Sequence, residues 1–272
     1  MKRSHHTEFF YQLFALILAF IVVHTIYVGL IRPKANAVLE EQLARQAAGE
    51  QYVVQRSLYV VMKDYEQEAC FVLMIWAMAI MGFKANRALN ERKLLSQTLI
   101  NVSEGTSILP EDARELSRPI QALDEKQQHF LLPRTLLVAL QRFGSTRNIG
   151  DVSHAIKETC DTESERLDSE LAMVRYIAWA IPSIGFIGTV RGIGEALGMA
   201  HKAVEGDIAG VTESLGVAFN STFVALVLSI IIMFFSHQLQ LLQERLVLDV
   251  QSKCDNSLLR HLRVRTTSTA TA

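Results

Sequence analysis

Four apolar segments alternate with polar, mixed-charge segments along the chain. They cover residues 9–31, 69–83, 171–200 and 211–237. A helix needs about 20 apolar residues to cross a bilayer, so the first, third and fourth segments predict transmembrane helices. The second segment has only 15 residues, and we assign it as a span because Trp76 lies within it and a basic cluster follows it.

This pattern divides the chain into four parts. Residues 1–84 are a predicted N-terminal membrane hairpin with a polar helical connection, and residues 85–170 are a predicted cytoplasmic helical domain. Residues 171–237 form a second membrane hairpin, and residues 238–272 form a cytoplasmic helix and tail, of which 266–272 are expected to be disordered. The expected fold class is all-α: a polytopic membrane protein with four transmembrane helices, two of them long and extending into the cytoplasm.

The N-terminal segment has features of a signal peptide as well as of a membrane helix. Ala35-Asn36-Ala37 resembles a cleavage site, but the apolar core of residues 13–23 ends well before it. We therefore predict a retained first span. Basic residues at positions 2 and 3, and again after the second span, indicate that the N-terminus and the C-terminus both lie in the cytoplasm.

Composition narrows the classes of function. Half of the residues are hydrophobic and 20% are charged, which suits membrane helices alternating with solvated ones. The net charge of −1 gives no basis for nucleic-acid binding. The three cysteines are far apart and the eight histidines are scattered, so we expect no metal site and no cofactor. No catalytic constellation stands out, and we expect no enzymatic activity.

Two threonines lie deep within the last two apolar segments, at matched distances from the turn between them. Counting from Gly206, Thr189 is 17 residues back and Thr222 is 16 residues on. Each residue of an α-helix advances about 1.5 Å. If the two segments are antiparallel helices, the two hydroxyls therefore reach nearly the same depth in the membrane.

Small and polar residues recur on one face of each of these helices. The faces comprise Gly185, Gly188, Thr189, Gly192 and Ala196 on the first helix and Ser214, Ala218, Thr222, Ala225, Ser229 and Ser236 on the second. Such faces form close helix–helix packing seams in membranes. They also form ion pathways or partner-facing surfaces, and the matched hydroxyls favour this second interpretation because a polar side chain at that depth is costly unless it binds something.

The two segments carry sequence motifs around these threonines. Residues 185–193 read Gly-Phe-Ile-Gly-Thr-Val-Arg-Gly-Ile, residues 220–226 read Asn-Ser-Thr-Phe-Val-Ala-Leu, and the threonines are 33 positions apart. Over about residues 171–240 the chain resembles the MotA/TolQ/ExbB proton-channel family. The motifs are most similar to those of ExbB and TolQ, whereas the four-span layout is similar to MotA. Arg191 stands where ExbB and TolQ carry Trp, and Val217 stands where ExbB has a glutamate.

The resemblance implies a motor or energy-transducing channel subunit of the bacterial inner membrane. Thr189 and Thr222 then take the positions of pore-facing threonines. The resemblance also implies five copies of the chain around two copies of an ExbD/TolR/MotB-like single-span protein, whose membrane aspartate carries the ion. A proton is preferred to Na⁺ because most of the family uses it. The ion pathway or partner-facing set that we predict is Thr189, Thr222, Ser229, Gly185, Gly192, Ala218 and Ala225.

Charged residues within the third span need partners. Arg191 and Glu195 are four residues apart and are expected to pair along one helix face, with Asn220 at about the same level. This pairing has two open interpretations, a structural one and a role in ion or partner contact. Glu195 is the nearest carboxylate to the threonines by sequence, about 9 Å further along the helix. The alternative to a channel is a helical membrane scaffold or signalling protein without ion conduction.

Overall fold

The computed structural model describes residues 2–47, 57–100, 107–206 and 208–264, which are 87% helical and contain no strand. The expected disorder of residues 266–272 therefore lies outside the described residues. The α-helices are α1 (Lys2–Ile26), α2 (Arg32–Ala47), α3 (Leu58–Val61), α4 (Tyr65–Leu95), α5 (Ala113–Gln121), α6 (Glu125–Gln128), α7 (Leu131–Thr146), α8 (Ile149–Glu170), α9 (Ala172–Gly198), α10 (Ala200–Val204) and α11 (Ala209–Ser257).

Four helical segments of the described chain are long and apolar enough to cross a membrane. They are Glu8–Gln42, Tyr65–Leu95, Ile149–Gly198 and Ala209–His261. This confirms the predicted all-α polytopic class with four spans. A π-helical turn, Tyr27–Ile31, joins α1 to α2 and keeps the first segment helical well past its apolar part.

The helix of the second span extends well beyond its predicted bounds. Its apolar run is 69–83, but α4 is 31 residues long. The helix begins earlier, in an acidic turn that contains Glu66 and Glu68, and it continues through a basic stretch that includes Arg92 and Lys93. Acidic residues at the start of a helix and basic residues near its end both interact favourably with the helix dipole. The charged flanks therefore extend the helix beyond the segment that hydropathy alone identifies.

The chain forms two compact units. The first unit comprises residues 1–82 and 172–237, and the second comprises residues 83–171 and 238–272. The long helices α4 and α11 each contribute residues to both units. Between α8 and α9 only Leu171 leaves the helical conformation, so the predicted helix from the cytoplasmic domain into the third span has a one-residue break there.

In the first unit, α1 packs antiparallel against α4. The Trp76 indole donates a hydrogen bond to the Gln12 carbonyl (2.9 Å), and the Tyr11 hydroxyl donates one to the Ala79 carbonyl (3.3 Å). Val23, Tyr27, Ile31 and Val72 form a buried cluster between them. The opposite face of α1 carries exposed aromatic and aliphatic side chains, which suits a helix in contact with lipid: Phe9, Phe10, Phe14, Ile17 and Phe20.

The second unit has a hydrophobic core built mainly by α7 and α8, with contributions from α5 and the adjoining parts of α4 and α11. Two prolines of this unit, Pro119 and Pro133, lie inside helices. Pro133 is the third residue of α7, where a missing N–H costs no helical hydrogen bond. Pro119 lies inside α5, two residues before its end.

Truncation of Phe143 tests how tightly this core is packed. Its ring is fully buried on α7, and truncation of a buried Phe to Ala costs about 3–5 kcal/mol because a cavity remains. We expect Phe143→Ala to lower the unfolding midpoint of the detergent-solubilised protein strongly, measured by circular dichroism. Gln141→Ala, at an exposed position two residues away, should change the stability by no more than about 0.5 kcal/mol. Equal midpoints for the two variants would contradict this packing.

Candidate ion pathway between two membrane helices

Helices α9 and α11 lie antiparallel and in close contact along a seam of small residues. A Cβ atom placed on Gly188 would lie 2.5 Å from the Ser221 Cβ, and one placed on Gly192 would lie 2.6 Å from the Ser214 carbonyl oxygen. Real Cβ atoms do not approach other atoms so closely. Glycine is therefore required at these two positions because the helix backbones meet there, as small-xxx-small motifs permit.

The two threonine hydroxyls meet in this seam. The Oγ1 atoms of Thr189 and Thr222 are hydrogen-bonded to each other. Thr189 Oγ1 also lies 3.0 Å from the carbonyl oxygen of Ala218, and Thr222 Oγ1 lies 3.2 Å from that of Gly185. The equal depth deduced from residue counting is thus a direct contact, and both side chains remain partly accessible.

The hydroxyl pair has more acceptors than donors. The two O–H groups lie within hydrogen-bond distance of the carbonyl oxygens of Gly185 and Ala218 and of each other's oxygen atoms, which is more acceptors than two hydrogens can satisfy. A hydroxyl can rotate to donate or to accept. The pair can therefore donate to an approaching carboxylate, or accept a hydrogen bond from a protonated carboxyl, without leaving its place between the helices.

The remaining members of the predicted set face the neighbouring helix of the same chain. Gly185, Gly192, Ala218 and Ala225 are buried between α9 and α11. Ser229 is also buried, and its hydroxyl donates to the Ala178 carbonyl (2.9 Å). The packing interpretation accounts for these five positions within one chain. Their role in an ion pathway stays a prediction, and only the two threonines combine a polar group with partial access.

Arg191 pairs with Glu195 as expected, but its closest contacts are with Glu66 of α4. Its Nη1 lies 3.1 Å from Glu195 Oε1, whereas Nε and Nη2 bind both carboxylate oxygens of Glu66 at 2.7 and 2.9 Å. Asp64 lies 3.9 Å from the same guanidinium. The Asn220 side chain, which we expected beside Arg191, is half-buried and forms no hydrogen bond with Arg191 in the described part of the chain.

Sequence reasoning missed Glu66. Glu195 is the nearest carboxylate along the sequence, but Glu66 of α4 also reaches this level, because its Cγ atom would lie 3.3 Å from a Cβ atom placed on Gly188, the residue before Thr189. An arginine within an apolar helix requires a carboxylate partner. The acidic residues at positions 64–68, just before the second apolar run, were the sequence signal that could have identified this partner. The separation of 125 positions between Glu66 and Arg191 gave no local clue to their pairing.

The start of α4 also carries polar contacts to two other helices. Glu68 accepts hydrogen bonds from His24 Nδ1 (2.7 Å) and from Arg32, so the polar end of the first hairpin is held by a three-residue network. Gln67 is fully buried and donates to the Ser221 hydroxyl on α11 (3.3 Å). Within the described ranges no group of three His, Cys, Asp or Glu side chains is arranged to hold a metal ion.

The fold and the site define a multi-pass, all-α membrane protein whose last two membrane helices enclose a pair of hydroxyls. Residues 127–252, just under half of the chain, match the model of the MotA/TolQ/ExbB proton channel family. The family that the motifs indicated is therefore confirmed for this region, which includes all of α9 and most of α11. The family consists of proton-channel components of energy-transducing membrane complexes. No curated protein and no solved structure matches the chain significantly.

Proposed function

We propose that this protein is the channel-forming subunit of a proton-driven energy-transducing complex in the bacterial inner membrane. Several copies, five by analogy with the family, surround a dimer of a single-span partner of the ExbD/TolR/MotB kind. The observation that carries the proposal is the contact between the Thr189 and Thr222 hydroxyls at one level of the α9–α11 seam. The match of this same region to a proton channel family supports it.

The chemistry of the pair suits a carboxyl group that gains and loses a proton. A carboxylate would accept hydrogen bonds from the hydroxyls, and a protonated carboxyl would donate one to them. Either state is thereby stabilised in a region where an unpaired polar group is costly. The threonines would not carry the ion themselves. They would hold the carrier while its proton exchanges.

The carrier would come from another chain. The carboxylate of this chain that lies beside the threonine level is Glu66, and both of its oxygens are already bound by Arg191. A carboxylate in a bidentate arginine pair is held in its ionised form. Glu66 is thus poorly suited to cycle a proton, and a membrane aspartate of a single-span partner would take that role.

A helical scaffold is the competing function, and the fully packed small residues of the seam favour it. The two functions differ in what they require of Thr222. A scaffold needs the volume of the side chain, whereas a channel needs its hydroxyl. Valine preserves the shape of threonine and removes the hydroxyl, so it separates the two requirements.

The test is Thr222→Val in the full-length chain, reconstituted in liposomes with the single-span protein bearing one membrane aspartate that the proposal requires. We expect proton uptake, followed with an internal pH dye, to fall about tenfold or more, since a hydrogen bond to a charged group contributes about 1.5–3 kcal/mol. Assembly, measured by native mass spectrometry, should be unchanged.

Thr212→Val is the matched control, because Thr212 lies on the same helix but is exposed. Its hydroxyl donates to the carbonyl of Ile208, the residue just before the helix. It should conduct as the unmodified protein does. Unchanged uptake in Thr222→Val would exclude the proposed pathway, and loss of assembly in that variant would assign the seam to a scaffold.

A further inference from the structure

Large apolar residues surround both threonines of the seam in the same pattern. Each threonine follows a phenylalanine by three positions and precedes a branched aliphatic residue by four. These four residues form the apolar frame: Phe186, Ile193, Phe219 and Leu226. Residues three or four positions apart lie on one face of a helix. Each of the two helices therefore presents an aromatic side chain, a hydroxyl and an aliphatic side chain in that order.

The contacts of the two hydroxyls repeat this symmetry. Thr189 Oγ1 lies 3.0 Å from the carbonyl oxygen of Ala218, and Thr222 Oγ1 lies 3.2 Å from that of Gly185. Gly185 and Ala218 each precede the threonine of their own helix by four positions. Each hydroxyl thus contacts the equivalent carbonyl of the other helix. A local two-fold axis through the hydroxyl pair relates the two motifs.

This axis places one half of the apolar frame on each side of the hydroxyls along the helices. Phe186 is brought level with Leu226, towards the start of α9, and Phe219 is brought level with Ile193, towards the turn at Gly206. The two frame residues of each helix are seven positions apart, which is about 10 Å along its axis. The hydroxyl pair therefore has an apolar border towards each surface of the membrane.

The apolar frame lies on the side of the seam that α4 leaves open. On the covered side, Glu66 Cγ would lie 3.3 Å from a Cβ atom on Gly188, and Gln67 donates to the Ser221 hydroxyl. Gly188 and Ser221 directly precede the two threonines, so α4 covers equivalent positions of both motifs. All four frame side chains are exposed, and the hydroxyls between them are partly accessible. Together they form one surface that is polar only at its centre.

Such a surface suits a membrane helix that carries a single carboxyl group. The carboxyl can exchange hydrogen bonds with the hydroxyl pair in either protonation state. Apolar residues three and four positions to each side of it would then meet the frame. A lipid chain offers the same apolar contact but no polar group for the centre. The matching helix is the single-span partner, and this assignment rests on the proposed function.

We propose that the apolar frame seals the hydroxyl pair from water towards both membrane surfaces. Apolar constrictions exclude water, and a continuous file of water would carry protons past the pair without a carrier. With the frame closed against the partner helix, a proton reaches the hydroxyls only on the carboxyl of that helix. The frame residues exchange no proton themselves. They are positioning residues that couple proton movement to the partner.

The test measures water access at the level of the hydroxyls. Full-length protein that carries Val190→Cys is reconstituted with the single-span partner in oriented vesicles and treated with a cationic, membrane-impermeant methanethiosulfonate. Val190 is exposed and directly follows Thr189, between the two halves of the frame. We expect no labelling from either surface, because a charged reagent does not enter a dry membrane interior.

Phe→Ala substitutions in the frame should open it from one surface at a time. In Phe186→Ala, labelling from the surface near the start of α9 should rise about tenfold or more, since exclusion of the charge is relieved. In Phe219→Ala, the same rise is expected from the surface near the turn. Phe186→Leu keeps an apolar side chain at this position and should stay sealed.

Phe234→Ala is the matched control. Phe234 lies on the same helix as Phe219 and is similarly exposed (59% against 66%), but it is twelve positions from Thr222. Its removal should leave the labelling unchanged. The three native cysteines are buried, and the protein without the added cysteine gives the background.

Labelling of Val190→Cys with an intact frame would overturn the proposal. Equal labelling in Phe186→Ala, Phe219→Ala and Phe234→Ala would overturn it too, because the frame would then face lipid. Proton uptake into the same vesicles distinguishes these failures from that of the proposed function. The expected labelling pattern in a complex without proton flux would refute the channel alone. Proton flux that requires Thr222, without the labelling pattern, would refute the seal alone.

Discussion

Gly192→Leu is expected to prevent α9 and α11 from forming their seam. A Cβ atom at position 192 would lie 2.6 Å from the Ser214 carbonyl oxygen and 2.8 Å from the Ala218 nitrogen, and these are backbone atoms that cannot rotate away. Overpacking of a core costs about 1–3 kcal/mol where side chains can adjust, and more is expected where two backbones must separate. The helices would move apart, and the hydroxyl contact between Thr189 and Thr222 would be lost.

Gly194→Leu is the matched control for this experiment. A Cβ atom at Gly194 meets nothing within 4 Å in the described structure, so a leucine has space there. We expect thermal unfolding in detergent to show a large drop in midpoint for the variant at position 192 and a small change for the variant at 194. Equal destabilisation of the two variants would contradict the register in which Gly192 faces Ala218.

Glu66→Ala is expected to have the second large effect. It removes the bidentate partner of Arg191 and leaves a guanidinium with only Glu195 and a distant Asp64. Removing one partner of a fully buried pair costs about 3–5 kcal/mol. Because the Arg191 side chain is 39% exposed and that of Glu66 13%, solvent screening reduces the expected loss to about 1–3 kcal/mol.

A double-mutant cycle separates this pair from its surroundings. In the cycle of Glu66→Gln, Arg191→Gln and the double variant, the loss of stability in the double variant should be smaller than the sum of the two single losses, since each single variant removes the same contact. Glu195→Gln should cost less than Glu66→Ala, because the Glu195 side chain is 47% exposed and makes a single contact with Arg191. A larger loss at Glu195 would show that the i,i+4 pair, and not the contact across the hairpins, holds Arg191.

The Glu66–Arg191 pair bears on function as well as on stability. It joins the first hairpin to α9 beside the threonine level, where the family motif carries Trp in ExbB and TolQ. An arginine at that position adds a positive charge that the acidic start of α4 neutralises. The first hairpin is therefore part of the electrostatics of the candidate pathway, and not only a membrane anchor.

Residue counting predicted the four spans and the equal depth of the two hydroxyls, because both depend on regular helix geometry. An apolar run of sufficient length specifies a span, and a constant rise per residue places Thr189 and Thr222 at one depth once the turn is located. The Arg191–Glu195 pair follows from the same regularity, since residues four apart share a helix face. Bounds were less accurate for α4, because charged flanks are helical without being apolar.

Contacts between distant segments depended on the tertiary structure alone. Nothing in the spacing of residues links Glu66 to Arg191 or Gln67 to Ser221, because each pair is more than 120 residues apart and hairpin packing decides which faces meet. The same packing turned Gly185, Gly192, Ala218 and Ala225 towards the neighbouring helix of their own chain. By itself, the sequence determined four spans, one hydroxyl level and a family resemblance. The assembled fold decided which carboxylates surround that level, since side-chain neighbours arise from the docking of whole helices.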